Sequence, residues 1–477
     1  MTTQTAKRLW EAPYFKPHSM GAMNKFGHRA ARSEHVEEFE GVPVSELIET
    51  YGSPVFVSSE RRLRASVRRI MGAFNRRWPD VVHGWSYKTN YTSAICNIIH
   101  QEGSWAEVVS RFEYEKARSL GIPGHRIIFN GPNKPRAILE RAISEGAKLH
   151  VDHSDEIDLI EEIARTMGHI VPLTIRMNFE TGYTEAWSRF GFNLESGQAL
   201  EAVTRIARSP HLKLTGLHSH IGTFILDPRA HAASVKTMCT FMREIEETFD
   251  LDIESIDIGG GFPSRNALQG IYLPPEQVVP DIEDFADAIC AALKQETAYR
   301  LEQGRALPRL IIESGRAIVD DSQVLLTSVV GTKPLPDGRR SAVLDAGLNL
   351  LFTGFWYDHA VKLTSPARGA AAETVLYGPL CMNIDIVRKS VQLPPLAVGD
   401  TLMIGPVGAY NNTQWMQFIE YRPAIALVHS DGSHSVIRKA ENLAVMNGQD
   451  VLPEHLATPT AQETERPMRR LPLMAAE

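Results

Sequence analysis

The chain has 477 residues, 43% of them hydrophobic and 22% charged, an ordinary globular composition with length for more than one domain. Its 50 basic and 57 acidic residues leave a formal net charge of −7, and no long basic run marks a nucleic-acid footprint. Neither a membrane-spanning apolar run nor the apolar centre of a signal peptide is present. The four cysteines, Cys96, Cys239, Cys290 and Cys381, are far apart and form no CxxC pair. A disulfide framework and a metal site are therefore not expected, and a reducing cytoplasm fits.

Residues 1 to about 40 are polar and rich in His and Arg, and read as an arm. A turn and short helix follow over Gly41–Tyr51, and Val55–Val57 reads as a short strand. From residue 60 a rhythm begins. Strand-like runs centre near residues 83, 106, 127, 149, 173, 215, 256 and 311, with helix-like segments between them, such as Pro135–Gly146 and Ser154–Met167. Eight strands alternating with helices predict an α/β fold, a (β/α)8 TIM barrel. After Arg316 the pattern changes to short strands at Gln323–Val330, Ser341–Leu344, Glu373–Tyr377 and Thr401–Ile404, punctuated by Gly and Pro. The expected division is 1–59 as an arm plus a segment joining the β domain, 60–316 as the barrel, 317–450 as a C-terminal β-sandwich or β-barrel, and 451–477 as a loose tail.

Four stretches carry chemistry. His83–Asn90 runs from a strand toward a helix and puts Lys88 at the strand end, the barrel edge where active sites are built. A lysine kept partly dry by the barrel walls has a lowered pKa and serves as an imine-forming amine; alone, it would read as a solvated loop residue. Leu217–Thr223 holds His218 and His220, two apart and so on one face of a strand. Asp257–Pro263 contains Gly259, Gly260 and Gly261, whose amides can approach an anion closely at the seventh strand end, where barrels often hold a phosphate. Ile311–Arg316 ends the eighth strand with Glu313 and Arg316, a carboxylate and a guanidinium suited to phosphate.

With Gly378-Pro379-Leu380-Cys381 and Gly408-Ala409-Tyr410, these stretches resemble, in order, the motifs of fold-type III pyridoxal-phosphate decarboxylases, the diaminopimelate, ornithine and arginine decarboxylase group. The resemblance covers about residues 41 to 425 and implies an alanine racemase-like barrel with a C-terminal β domain. It also implies pyridoxal 5'-phosphate as cofactor and Lys88 as the Schiff-base lysine. His220 would stack on the cofactor ring and Glu313 would bind its pyridine nitrogen. Thr223, Gly260, Gly261, Arg316 and Tyr410 would lie at the phosphate, with Glu107 and Arg176 flanking the cofactor. Cys381 would reach the site of a partner subunit as proton donor, which implies a homodimer with shared active sites, with no nucleic-acid or membrane partner.

The chain departs from these relatives at the substrate's far end. Met382 stands where diaminopimelate and ornithine enzymes carry Glu or Asp after the cysteine, and Thr353-Gly354 replaces the Arg-Pro that holds a distal carboxylate. Asp345, Met382 and Asp385 are the candidate substrate contacts. The expectation is α-decarboxylation of a modified or conjugated diamino acid in specialised metabolism, such as siderophore assembly. The alternatives are decarboxylation of free diaminopimelate, ornithine or lysine, or amino-acid racemisation. A racemase of the alanine type would carry Arg at the ring nitrogen, which Glu313 opposes.

Overall fold

A computed structural model describes residues 35–271 and 273–456. The expected arm up to residue 34 and the tail from residue 457 lie outside the described residues. Within them, the eight barrel strands are Val81–Ser86, Trp105–Val108, Ile127–Phe129, Lys148–Val151, Val171–Asn178, Leu212–Ser219, Ser255–Asp257 and Arg309–Ile312. Each falls on one of the eight runs read from the sequence. All neighbours are parallel, and the last strand pairs with the first, with Ile312 opposite His83, closing the barrel. The two-residue strand Phe192–Asn193 adds beside Val171–Asn178.

The helices follow from periodicity and caps. Glu60–Asn75 begins where the Ser59 hydroxyl accepts the Arg62 amide at 3.1 Å, a side-chain cap for an otherwise unpaired donor. Its Leu63, Val67, Ile70 and Phe74 recur at helical spacing and are buried against the outside of the barrel. Ser154–Met167 matches the expected bounds and stops at Gly168, which takes the left-handed conformation that favours glycine. Inside the barrel an apolar plug of Val82, Ile128 and Ile311 fills one level. Toward the C-terminal ends of the strands the interior turns polar, with Glu107, His150, His218 and Asp257 all buried.

The second domain is a sheet ordered Ile386–Leu393, Ala372–Tyr377, Arg340–Leu344, Gln323–Pro334, Val55–Ser59, Ile425–Val428 and His434–Arg438. Thr401–Gly405 also pairs with Gln323–Pro334 and carries Ala360–Leu363 on its other side. Four of these strands, Ala360–Leu363, Ile386–Leu393, Ile425–Val428 and His434–Arg438, were not read from the sequence. They are short or have much of one face exposed, so their local pattern is weak and the neighbouring strand decides them. Val55–Ser59 precedes the barrel in sequence yet lies inside this sheet, antiparallel to Gln323–Pro334 and parallel to Ile425–Val428. Val36 then ties the preceding segment down by donating its amide to the Leu363 carbonyl at 2.8 Å.

Phe56 is fully buried among Leu325, Ile404 and Ile425, with its ring edge-on to Trp415 at 6.1 Å. Phe56→Ala is expected to destabilise the protein by about 3–5 kcal/mol, the usual cost of emptying an aromatic core position. Denaturant unfolding checks it; an unchanged midpoint would mean that this strand contributes little to the β domain.

Candidate active site

The C-terminal ends of the barrel strands surround a cavity of about 260 Å³, lined among others by Lys88, His220, Gly261, Glu313, Arg316 and Tyr410. Lys88 sits in the 3-10 turn Tyr87–Thr89 directly after the first strand. Its Nζ lies 2.7 Å from Glu107 Oε2, on the neighbouring strand Trp105–Val108. Burial works to lower the lysine's pKa, but the carboxylates of Glu107 and Glu313 outweigh it and hold the pKa above its ordinary value. The dry-lysine expectation is thus reversed in sign: the barrel wall contributes carboxylates as well as dryness, and the ammonium is the favoured form.

Glu313 follows the eighth strand and is nearly fully buried. Its amide donates to the Gly259 carbonyl at 2.7 Å, and its own carbonyl accepts the Ser86 hydroxyl at 3.1 Å. Its side chain receives the Asn130 amide at 2.5 Å, and the same Asn130 nitrogen donates to Glu107 Oε1 at 3.1 Å. Asn130 was missed from the sequence. The available signal was its position, one residue beyond the third strand on the face where barrels place functional groups.

The two histidines of the Leu217–Thr223 stretch separate. His218 ends inside the barrel, its ring 4.9 Å from that of His150 and its Nε2 3.5 Å from Glu313 Oε2. Burial holds both rings well below the usual histidine pKa, so both are neutral. His220 lies past the strand end, and its Nδ1 accepts the Gly260 amide at 3.0 Å, which leaves a neutral ring facing the cavity. Next to Glu313, Asp257 is buried; its surroundings, then the Glu313 charge, push it well above the usual carboxylate range. His150, His218 and Glu313 have ligand atoms within 4.8 Å of one another, but Arg176, Lys88 and Lys134 face the same histidines with positive charge and oppose a cation.

The glycine stretch differs in detail from expectation. The amide of Gly260, expected at the phosphate, is used on His220, and that of Gly259 donates to Asp257 Oδ1 at 2.9 Å. Gly261 lines the cavity, and Gly260 is needed for closeness, since a Cβ there would collide with the Glu313 carbonyl. Arg316 opens the helix Arg316–Val319, its guanidinium 4.8 Å from the Tyr410 ring and 5.1 Å from that of Tyr357. Its Nη1 is buried with no hydrogen-bond partner among the described residues, a donor that a phosphate oxygen would satisfy. Thr223 is exposed at the cavity rim. Arg176, on the fifth strand, lies over the Phe190 ring at 4.4 Å and 3.9 Å from Asp152.

The substrate-end candidates are not brought to the cavity. Asp345 accepts the hydroxyls of Ser53 and Thr327 at 2.6 Å each and the Ser328 amide at 2.9 Å. Asp385 is buried and accepts the amides of Leu348 at 2.7 Å and Leu380 at 2.8 Å. Both carboxylates hold β-domain loops and lie apart from this chain's own cavity. Thr353 is also buried, with its hydroxyl donating to Asn411 at 2.9 Å. Cys381 is exposed, with Met382 half-buried beside it, and neither lines this chain's cavity. Trp187, Trp356 and Gln414, none singled out in the sequence, do line it.

The electrostatics around Lys88 give a measurable consequence. Glu107→Gln removes one of the two carboxylates that hold its proton, so Lys88 should lose that proton at lower pH. In cofactor-free protein, its acylation at about pH 9 should speed up roughly threefold or more, because reactivity follows the free-amine fraction. Peptide mapping of the modified lysine measures this, and an unchanged rate would remove Glu107 as the controlling charge.

Residues 64–320 match the family model for the pyridoxal-binding domain of pyridoxal-dependent decarboxylases. The diaminopimelate decarboxylase of Methanothermobacter thermautotrophicus is 31% identical over 421 residues, covering 86% of this chain and 95% of that enzyme. A crystal structure of diaminopimelate decarboxylase from Methanocaldococcus jannaschii superposes with a TM-score of 0.80 at 26% identity, over 90% of this chain and 99% of the other. The same enzyme in complex with L-lysine gives a TM-score of 0.79 at 26% identity, covering 88% and 96%. A guanidinium nitrogen without a hydrogen-bond partner among the described residues, a lysine amine at a strand end and a glycine turn that would not admit a Cβ all fit pyridoxal phosphate. On this match and this geometry, the chain belongs to the pyridoxal-dependent decarboxylases and is an amino-acid decarboxylase.

Proposed function

We propose that the chain removes the α-carboxyl group of a free diamino acid of the diaminopimelate, lysine and ornithine kind. The observation that carries this reading is the full-length likeness to diaminopimelate decarboxylases, one of them solved with L-lysine. The siderophore-type substrate expected from the sequence draws no support from these relatives. One local feature still favours a modified far end. Thr353, Met382 and the committed Asp385 offer no spare charge for a distal carboxylate or ammonium, and an unpaired buried charge is costly.

Pyridoxal phosphate supplies an electron-accepting ring that takes up the electron pair of the breaking Cα–carboxylate bond. In this reading Lys88 provides the amine that holds the cofactor and yields to the substrate's amine. Glu107, 2.7 Å from Nζ, keeps the lysine proton at the reacting end. Glu313 would face the ring nitrogen and favour its protonated form by charge. Arg316 and the Gly261 backbone bind the phosphate, with Tyr410 beside them. That anchorage fixes the ring's orientation, and the neutral face of His220 supports it. Cys381, exposed on the β domain, serves a partner subunit's cavity as proton donor to Cα, so the working unit is a homodimer.

The ratio of kcat/KM for diaminopimelate, lysine and ornithine to that for side-chain-acylated versions of each tests the substrate. A free diamino acid should win by at least tenfold, about 1.4 kcal/mol of transition-state binding. If an acylated form wins instead, the modified far end is the correct reading. Subunit sharing is tested by mixing Lys88→Ala with Cys381→Ala, each nearly inactive alone. Exchange should restore up to about one quarter of wild-type activity by random pairing of subunits. No recovery despite proven exchange would place the whole site within one chain.

A further inference from the structure

We propose that Asn130 is a positioning residue that holds Glu107 and Glu313 on one donor and aims them at opposite ends of the cofactor. The proposal rests on the assignment of Glu313 to the ring nitrogen. Asn130 stands just after the third barrel strand, its backbone amide fixed on the Val108 carbonyl at 2.8 Å. One side-chain nitrogen donates to both carboxylates, at 3.1 Å to Glu107 and 2.5 Å to Glu313. The orientation of this amide follows from its neighbours. Turned over, it would point a carbonyl at two carboxylates. As it stands, Asn130 Oδ1 is buried without a partner. A buried unpaired carbonyl is costly, so the position retains the donor at the expense of the acceptor.

The need for such a donor comes from the charges around it. Two carboxylates held on one donor repel, and the shared hydrogen bond offsets part of that repulsion. The other groups facing Glu313 do not remove the problem. Asp257 is itself driven to its neutral form by burial and by Glu313. His83, His150 and His218 are neutral, their pKa values lowered by burial. His218 Nε2, at 3.5 Å, lies beyond a good hydrogen bond. The cations nearby, Lys88 and Arg176, offset part of this repulsion by charge, but their direct contacts are to Glu107 and Asp152, not to Glu313. A cation at position 130 would satisfy both carboxylates but compete with Lys88 for Glu107. A neutral amide donates to both and leaves Glu107 Oε2 for the lysine.

Asn130→Ala and Asn130→Ser test this in the holoenzyme, with Glu313→Gln as reference. Serine can donate one hydrogen bond and cannot span both carboxylates. The readings are the absorption of the bound pyridoxal phosphate as a function of pH without substrate, and kcat and KM separately. Asn130→Ala should move the midpoint of the absorption change by about one pH unit or more. It should lower kcat at least roughly tenfold while KM stays within about threefold. Asn130→Ser should fall between it and wild type. A wild-type absorption titration and kcat in Asn130→Ala, with a shifted titration in Glu313→Gln, would overturn the proposal and leave the ring-nitrogen assignment standing. An unshifted titration in Glu313→Gln would instead remove that assignment, and this proposal with it. Should Asn130→Ala not fold, Asn130→Ser decides alone: a shift in midpoint supports the role, and wild-type values overturn it.

Discussion

The pairing of the first and last barrel strands is the constraint on which the site depends. Val81–Ser86 and Arg309–Ile312 run parallel with Ile312 opposite His83, and the Ser86 hydroxyl reaches the Glu313 carbonyl across 227 residues of sequence. That ladder brings the lysine after one strand beside the carboxylate after the other. Neither residue gains its role from its local segment. Parallel closure also gathers every strand's C-terminal end on one rim, so Glu107 and Arg176 on two further strands meet Asn130, Asp152, His220 and Gly261 from the turns after four others.

What the rim encloses is a balance of buried charge. Moving Glu107 and Glu313 out of water costs several kcal/mol for each ion unless partners and hydrogen bonds restore most of it. The structure restores it in two ways. Opposite charges touch, as at Lys88 and Glu107, and surplus charge is discarded, as Asp257 is held protonated and the histidines are held neutral. Below them an apolar plug of Val82, Ile128 and Ile311 fills the barrel. A cofactor with an anionic phosphate and a basic ring nitrogen is complementary to a cavity lined by both the Arg316 guanidinium and the Glu313 carboxylate.

The β domain has a different task. Its aspartates hold loops: Asp385 pins the backbone at Leu348 and Leu380, and Asp345 joins Ser53 to the strand that carries Thr327 and Ser328. The Asp385 bond to Leu380 fixes the segment that exposes Cys381. Because such acids are spent on architecture, sequence position alone is a poor guide to substrate contact here. An aspartate near a motif cysteine reads as a ligand, yet two backbone amides make it a brace.

The sequence by itself determined the barrel, because eight strand runs alternating with helices leave few other arrangements, and it determined the family, because six short motifs occur in order. It located Lys88, Glu313 and Arg316 as chemistry, since each is a charged group at the end of a strand. It could not give the sign of the Lys88 pKa shift, the sharing of Asn130 between two carboxylates, or the use of the Gly260 amide on His220. Those are distances between groups far apart in the chain, set by strand register and by which side of a wall a side chain meets. It likewise missed the weaker β-domain strands, and the segment it assigned to join the β domain finds its partners for Val55–Ser59 only in the folded sheet. A strand is completed by its neighbour's hydrogen bonds, and only the tertiary structure decides who that neighbour is.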